Sequence, residues 1–309
     1  MSDPNKELEG GQPFRSGFVT LIGRPNAGKS TLINAVIGKK VAITSNTPQT
    51  TRHRFRAVLH APSYQLILVD TPGIHKPHDV LGEELNRSAQ KALESVDAIC
   101  FVLDATKPFG TGDEWILNSI RPLVTPRLLV VSKTDVADLQ TVERQMDAAT
   151  AFMDFDRVVD LSAVEGTHIP RFIEAAASFL PEGPPWFPAE ATTDQPLEVI
   201  IAEFIREKVL TSTFDEVPHA VGVQVEELTY DKKKGLYTIY ANIFVERTSQ
   251  KGILIGAGGE MIKRIGTLAR EDLSHFLGAR VFLELRVKVR KGWRKDATQI
   301  RRFGYGEGA

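Results

Sequence analysis

Residues 23–30 read Gly23-Arg24-Pro25-Asn26-Ala27-Gly28-Lys29-Ser30. A glycine, four residues, a second glycine, a lysine and a hydroxyl form the G-x-x-x-x-G-K-S pattern of a phosphate-binding loop. The context agrees. Phe18–Ile22 ahead of it is continuously apolar, as a strand buried on both faces should be, and Lys29–Ile37 behind it has helical character. Glycines let backbone N–H groups turn inward around phosphate oxygens, and the helix N-terminus adds its partial positive charge. In such a loop Lys29 bridges the β- and γ-phosphates and the Ser30 hydroxyl ligates Mg²⁺. Gly23 through Thr31 are therefore predicted to hold a nucleotide.

Outward from the loop, short apolar runs alternate with amphipathic stretches. The runs are Leu66–Asp70, Ala98–Leu103, Arg127–Ser132 and Val158–Leu161; the predicted helices are Gly82–Ser95, Asp113–Ile120, Thr141–Ala151 and His168–Phe179. This alternation predicts an α/β fold, a doubly wound and mostly parallel sheet of the P-loop NTPase kind. His53–His60 alternates with period two and predicts one antiparallel edge strand. The expected first domain is residues 16–180, after a flexible extension over 1–15. Residues 181–188 contain four prolines, which can continue neither a helix nor a ladder, so 181–196 reads as a semi-rigid linker. Beyond it, over 197–292, the pattern changes to helix Leu197–Leu210, strands Ala220–Leu228 and Tyr237–Val245, apolar Gly252–Ile255, helix Glu260–Leu277 and strand Val281–Val289. That order predicts a smaller α+β domain. Residues 293–309 read as a basic tail.

Three further elements fall at strand ends, and a fourth lies between the first helix and the edge strand. Asp70-Thr71-Pro72-Gly73 closes an apolar run, where a carboxylate can hold Mg²⁺ and the Gly73 N–H can meet the γ-phosphate. Ser132-Lys133-Thr134-Asp135 resembles the N-K-x-D element of guanine-nucleotide proteins, with Ser in place of Asn. Asp135 can accept from guanine N1 and N2, donors that adenine does not present there, while Lys133 lies along the base. Ser162-Ala163 resembles the S-A element whose N–H groups face guanine O6. Thr47-Pro48-Gln49-Thr50-Thr51-Arg52 lies where such proteins keep a switch threonine. Thr51 is the first choice for closing over Mg²⁺ and the γ-phosphate, with Thr50 second. The expected chemistry is water attack on GTP, with Lys29, Thr51 and Gly73 as the groups that position and stabilise charge. Ile74 stands where many small GTPases have a water-orienting glutamine, so slow intrinsic turnover is expected. Asn26 resembles the asparagine of a GTPase subgroup that uses K⁺. It fits either that ligand role or a loop-stabilising one.

Composition bounds the setting. The 309 residues are 42% hydrophobic, with one cysteine, so no intramolecular disulfide or multi-cysteine zinc site can form. No apolar window is long enough for a membrane span, and residues 1–11 lack a secretory pattern, so a cytoplasmic protein is expected. Net charge is −1, yet residues 251–309 carry 13 Lys and Arg against 6 Asp and Glu. A basic back half points to a polyanion.

Gly256-Ala257-Gly258-Gly259, between an apolar segment and a long helix, matches the G-x-x-G loop of a type II KH domain in an α-β-β-α-α-β order. Such a loop brings the backbone close to about four unpaired nucleotides. Ile255, Ile262 and Ile265 fit an apolar groove for bases, although Ile262 and Ile265 fit the helix core equally well. Lys263, Arg264, Lys288, Arg290, Lys291 and Arg294 are candidate phosphate contacts. From about Phe18 to Tyr305 the chain resembles the Era family of bacterial ribosome-assembly GTPases. The resemblance includes Gln49-Thr50-Thr51-Arg52-His53-Arg54, Glu246-Arg247, Gln250-Lys251, Ile255 through Lys263 and Lys291-Gly292-Trp293. It implies GTP/GDP and Mg²⁺ as cofactors, and binding of 16S rRNA near its 3′ end on the small-subunit precursor. It also implies a monomer in the cytoplasm with peripheral association at the inner membrane. Ser132 for Asn and Ala257 for the family's usual Lys are departures.

Overall fold

The computed structural model describes residues 13–45, 50–72, 79–93, 95–214, 217–303 and 305. Its first unit is a sheet of strands β1 (Arg15–Ile22), β2 (Phe55–His60), β3 (Tyr64–Asp70), β4 (Ala98–Asp104), β5 (Arg127–Ser132) and β6 (Arg157–Leu161). The order is β2-β3-β1-β4-β5-β6, with only the β2–β3 pair antiparallel. The continuous apolar run of β4 has a direct cause. Ala98, Cys100 and Val102 enter one core layer with α1 (Lys29–Ile37) and α5 (Ile169–Ala177). Ile99, Phe101 and Leu103 enter the opposite layer with α2 (Val80–Leu93), α3 (Thr111–Ile120) and α4 (Leu139–Phe152). Side chains alternate across a strand, so a strand covered on both faces must be apolar throughout.

The proline-rich stretch is fastened to this unit. The Gly183 N–H donates to Phe14, Val58 N–H donates to Thr192, and the Gln65 side chain bridges to Trp186 and Phe187. Arg56 pairs with Asp194 at 3.3 Å, and Ala57 bridges Thr193 in antiparallel fashion. The segment thus covers the outer edge of β2, which would otherwise offer unpaired N–H and C=O groups.

The second unit comprises α6 (Leu197–Ser212), β7 (Gly222–Asp231), β8 (Leu236–Val245), α7 (Thr248–Ile255), α8 (Glu260–Leu277) and β9 (Arg280–Val289). β8 pairs antiparallel with β7 and parallel with β9. α6, α7 and α8 pack on one sheet face through Ile201, Phe204, Leu254, Ile265 and Leu273. Among the described residues no helix is long and apolar enough to cross a membrane.

The C-terminal segment corrects an expectation. Rather than a basic extension, residues 293–303 form a turn and α9 (Ala297–Arg302) that dock back on the molecule. Trp293, Ile300, Phe303 and Tyr305 are buried together with Phe244 of β8 and with Leu81 and Leu85 of α2. Arg294 bonds Glu246 and Asp79 across this contact, so it is not a free phosphate ligand. The charge count hid the four apolar side chains that drive the docking.

Candidate functional site

The phosphate-binding loop joins β1 to α1. Gly23 has φ 153°, and a Cβ there would lie 2.4 Å from the Val102 carbonyl, so no other residue fits. Asn26 takes the left-handed conformation, with φ 65°. Lys29 is buried and donates to the Gly23 and Arg24 carbonyls at 3.0 and 3.1 Å. Burial pulls its ammonium down to about 8, against the attraction of Asp70. A phosphate oxygen would supply the compensation that burial withholds.

The predicted magnesium ligands converge from three separate elements. Ser30 Oγ donates to Asp70 Oδ2 at 3.0 Å and lies 3.0 Å from Thr51 Oγ1. Thr51 Oγ1 donates to the same carboxylate oxygen at 3.2 Å. Asp70 is fully buried and its Oδ1 meets no donor among the described residues. Burial raises its carboxyl to about 6 despite Lys29 and both hydroxyls. A buried carboxylate with spare lone pairs beside two hydroxyls is a hard oxygen set, which fits Mg²⁺. The arrangement also separates the two threonines. Thr50 turns its hydroxyl toward the Ser45 carbonyl, at 3.4 Å, and Thr51 faces the site. Thr47, Gln49, Gly73 and Ile74 lie outside the described residues.

At the base-reading end, Lys133 has φ 63° and its ammonium bonds Asp104 at 2.7 Å. Burial opposes the charge on Asp104, yet the hydrogen bonds from Lys133 and Thr106 hold its carboxyl below the usual range. Ser162 Oγ donates to Asp135 at 2.7 Å, tying the two base elements together. The Ser162 N–H is committed to the Thr167 carbonyl, so only Ala163 of that pair keeps the role expected opposite guanine O6. A cleft of about 440 Å³ runs from Pro25, Asn26 and Lys29 through Thr31 and Thr51 to Lys133. That is within the range of small-molecule sites. Thr211, at the end of α6, belongs to its wall. Sequence reading missed this contribution from the second unit. The one available signal was Glu203, Arg206 and Glu207 embedded in the apolar run of α6, where charges stay only if paired.

The RNA-binding candidates divide. Ile255, Gly256, Ala257, Gly258 and Gly259 form the turn between α7 and α8, with exposed Lys263 and Arg264 on the next helical turn. Gly256 has φ 73°, and a Cβ there would meet Met261 at 2.8 Å. Ile265 is core, whereas Ile262 is only partly buried. Lys288 and Arg290 are not in this group. Val287 and Val289 point into the helix-covered core, so the alternation of β9 sends Lys288 to the other sheet face, where it pairs with Glu226 at 3.0 Å. Arg290 stacks on Phe244 and Phe303 and bonds Gln299.

A family model described as 50S ribosome-binding GTPase matches residues 18–133, and a KH domain model matches residues 216–294. A point variant of Aquifex aeolicus Era bound to GDP·AlF4⁻ is 37% identical over 95% of this chain and 100% of its own, with a TM-score of 0.91. Era in complex with MgGDPNP and nucleotides 1506–1542 of 16S ribosomal RNA is also 37% identical, over 95% of this chain and 99% of its own, with a TM-score of 0.91. With the phosphate loop, the converging oxygens and the G-x-x-G turn in place, and this likeness running nearly end to end, the chain belongs to the Era family of GTPases.

Proposed function

We propose that this GTPase is a switch whose nucleotide state gates binding of 16S rRNA near its 3′ end, and that it thereby assists assembly of the small ribosomal subunit. The observation that carries the reading is the meeting of Ser30, Thr51 and Asp70 beside Lys29, in the same chain as an exposed G-x-x-G turn. In this reading Lys29 and the loop N–H groups bind the β- and γ-phosphates. Ser30, Thr51 and Asp70 hold Mg²⁺, which neutralises charge on the phosphate oxygens when bound. Asp135 selects guanine, and Lys133 supports the base while pinned by Asp104. Gly256 to Gly259 meet the RNA backbone, and Lys263 and Arg264 meet its phosphates. K⁺ at Asn26, a monomeric state and a cytoplasmic setting with peripheral contact at the inner membrane belong to the same proposal; the family resemblance supports them. The test is crosslinking of the full chain to the 3′ region of 16S rRNA with GDPNP or GDP bound. Recovery that depends on the nucleotide is expected; equal recovery in both states would remove the switch.

A further inference from the structure

Thr51 sits between two residues that are each fastened to the KH domain. On one side, Arg206 of α6 donates from Nη2 to the Thr50 backbone carbonyl. On the other, Arg52 reaches the opposite way, donating to the Val221 carbonyl at 2.5 Å and the Pro218 carbonyl at 3.5 Å. Its guanidinium lies over the rings of Trp293 and Tyr305. Both arginines are buried, Arg206 at 0% exposure and Arg52 at 1%. A guanidinium taken out of water is costly unless it finds partners; these two find theirs in the Thr50, Val221 and Pro218 carbonyls and in Glu203, while Arg206 Nη1 meets none among the described residues. Glu203 grips the Arg206 fork at 2.8 and 2.6 Å, which sets its plane and aims Nη2 at Thr50.

We propose that Arg206, though it lies on α6 of the second unit, is a positioning residue of the GTPase site: by holding the Thr50 carbonyl it sets Thr51 for the cation and the γ-phosphate. The physical link is short. The Thr50 carbonyl and the Thr51 N–H share one planar peptide unit, so fixing the carbonyl fixes the direction of the Thr51 N–H and its Cα. The Thr51 hydroxyl then falls 3.0 Å from Ser30 Oγ and 3.2 Å from Asp70. A second contact of α6 supports the same loop. Glu207 accepts from the Thr44 N–H at 2.9 Å and pairs with Lys40. Thr211, one turn on, lines the nucleotide cleft. The consequence is specific to GTP. GDP has no γ-phosphate for a switch threonine to meet, so a device that places Thr51 favours the triphosphate over the diphosphate. Linkage makes the effect reciprocal: whatever favours this docking of the KH domain raises affinity for GTP over GDP.

The inference rests on the reading that Thr51 faces the γ-phosphate, so the experiment includes a variant that tests that reading alone. Affinities for GDP and GDPNP with Mg²⁺, and single-turnover GTP hydrolysis, are measured on full-length Arg206→Gln, Arg206→Lys, Thr51→Ala and Arg294→Met. Thr51→Ala is expected to weaken GDPNP by about tenfold or more and to leave GDP within about twofold. Arg206→Gln is expected to shift the same ratio in the same direction and to slow hydrolysis. Arg206→Lys keeps a cation for Glu203 but cannot fork and reach Thr50 together. It guards against misfolding and is expected to show a smaller loss of the same kind. Arg294 bridges Glu246 and Asp79 at the other contact between the two units, without touching Thr50, Thr51 or Arg206, so its variant should leave the ratio unchanged. If Thr51→Ala shows the loss and both Arg206 variants do not, the positioning role fails. If Arg294→Met shifts the ratio as far as Arg206→Gln does, loosened docking explains the effect and the role also fails. If Thr51→Ala itself leaves the ratio unchanged, the site reading falls and the inference falls with it.

Discussion

The Ser132 hydroxyl lies 2.7 Å from the Ala27 carbonyl and 3.0 Å from the Leu103 carbonyl, joining the base-reading strand to the phosphate loop. The serine that stands in place of the family's asparagine is therefore a tether, with one proton serving two acceptors. Ser132→Ala removes it and leaves a buried carbonyl without a donor, which costs roughly 1–2 kcal/mol. Because the tether holds the loop rather than the γ-phosphate, GDP and GDPNP should weaken together, by about 5- to 30-fold. Fluorescent-nucleotide titration checks this; a loss confined to GDPNP would contradict it.

Trp293 is fully buried, donates from its indole N–H to the Ala220 carbonyl at 3.0 Å and packs against Phe303 and Tyr305. Trp293→Ala should cost about 3–5 kcal/mol. It should also free α2, whose Leu81 and Leu85 share the cluster. The expected readout is a lower urea midpoint together with faster hydrogen exchange in α2. An unchanged midpoint would mean that the C-terminal segment is a passive cover.

The parts of the site readable in advance were those encoded locally. The phosphate loop, Asp70, Asp135 and Thr51 each lie at a strand end or in a short loop of recognisable pattern. The strands were readable because two-sided burial makes them apolar throughout, as in β4. What could not be read depends on distant contacts. Arg206 meets Thr50 across 156 residues; its place in the apolar run of α6 marks it as a paired charge, but nothing local names Thr50 as the partner. Lys288 was grouped with the G-x-x-G turn on charge alone, whereas its place in the β9 alternation puts it on the far sheet face. The tail was read from its charges, which hid Trp293, Ile300, Phe303 and Tyr305.

Glu203 links the domains through Arg206 and His53. Burial works against its charge, but the attraction and hydrogen bonds of Arg206, with a further contribution from His53, hold its carboxyl well below the usual range. Its folded pKa is depressed, so its stabilisation is fully present above the unfolded value of about 4.3 and is lost as pH falls toward the folded one. Urea stability should therefore decline as pH drops from about 5 to about 3. Glu203→Gln should be weaker at neutral pH by roughly 3–5 kcal/mol, because Arg206 loses its countercharge, and flatter across the acid range. Equal pH slopes for the two proteins would remove Glu203 as the cause.

Asn26 lines the nucleotide cleft on a left-handed backbone. If it ligates K⁺, turnover in KCl should exceed turnover in NaCl, and Asn26→Ala should erase the difference. Equal rates in the two salts would leave Asn26 as a loop-stabilising residue only.

Ala257 is exposed in the G-x-x-G turn, where the family usually has lysine. Its side chain is exposed, so Ala257→Lys adds a cation to the turn without burying charge. One further phosphate contact should raise affinity for single-stranded 16S rRNA at low salt and steepen the log K against log salt line by about 0.7. GTP turnover without RNA should stay the same, since the turn does not line the nucleotide cleft. Gly256→Ala is the opposite case. Its Cβ would meet Met261 at 2.8 Å on a backbone with φ 73°, so the turn must shift. RNA affinity should fall while the salt slope is kept, because shape changes and charge does not. A slope unchanged in Ala257→Lys would show that this position lies off the RNA path, and the phosphate contacts would then have to come from Lys263 and Arg264 alone.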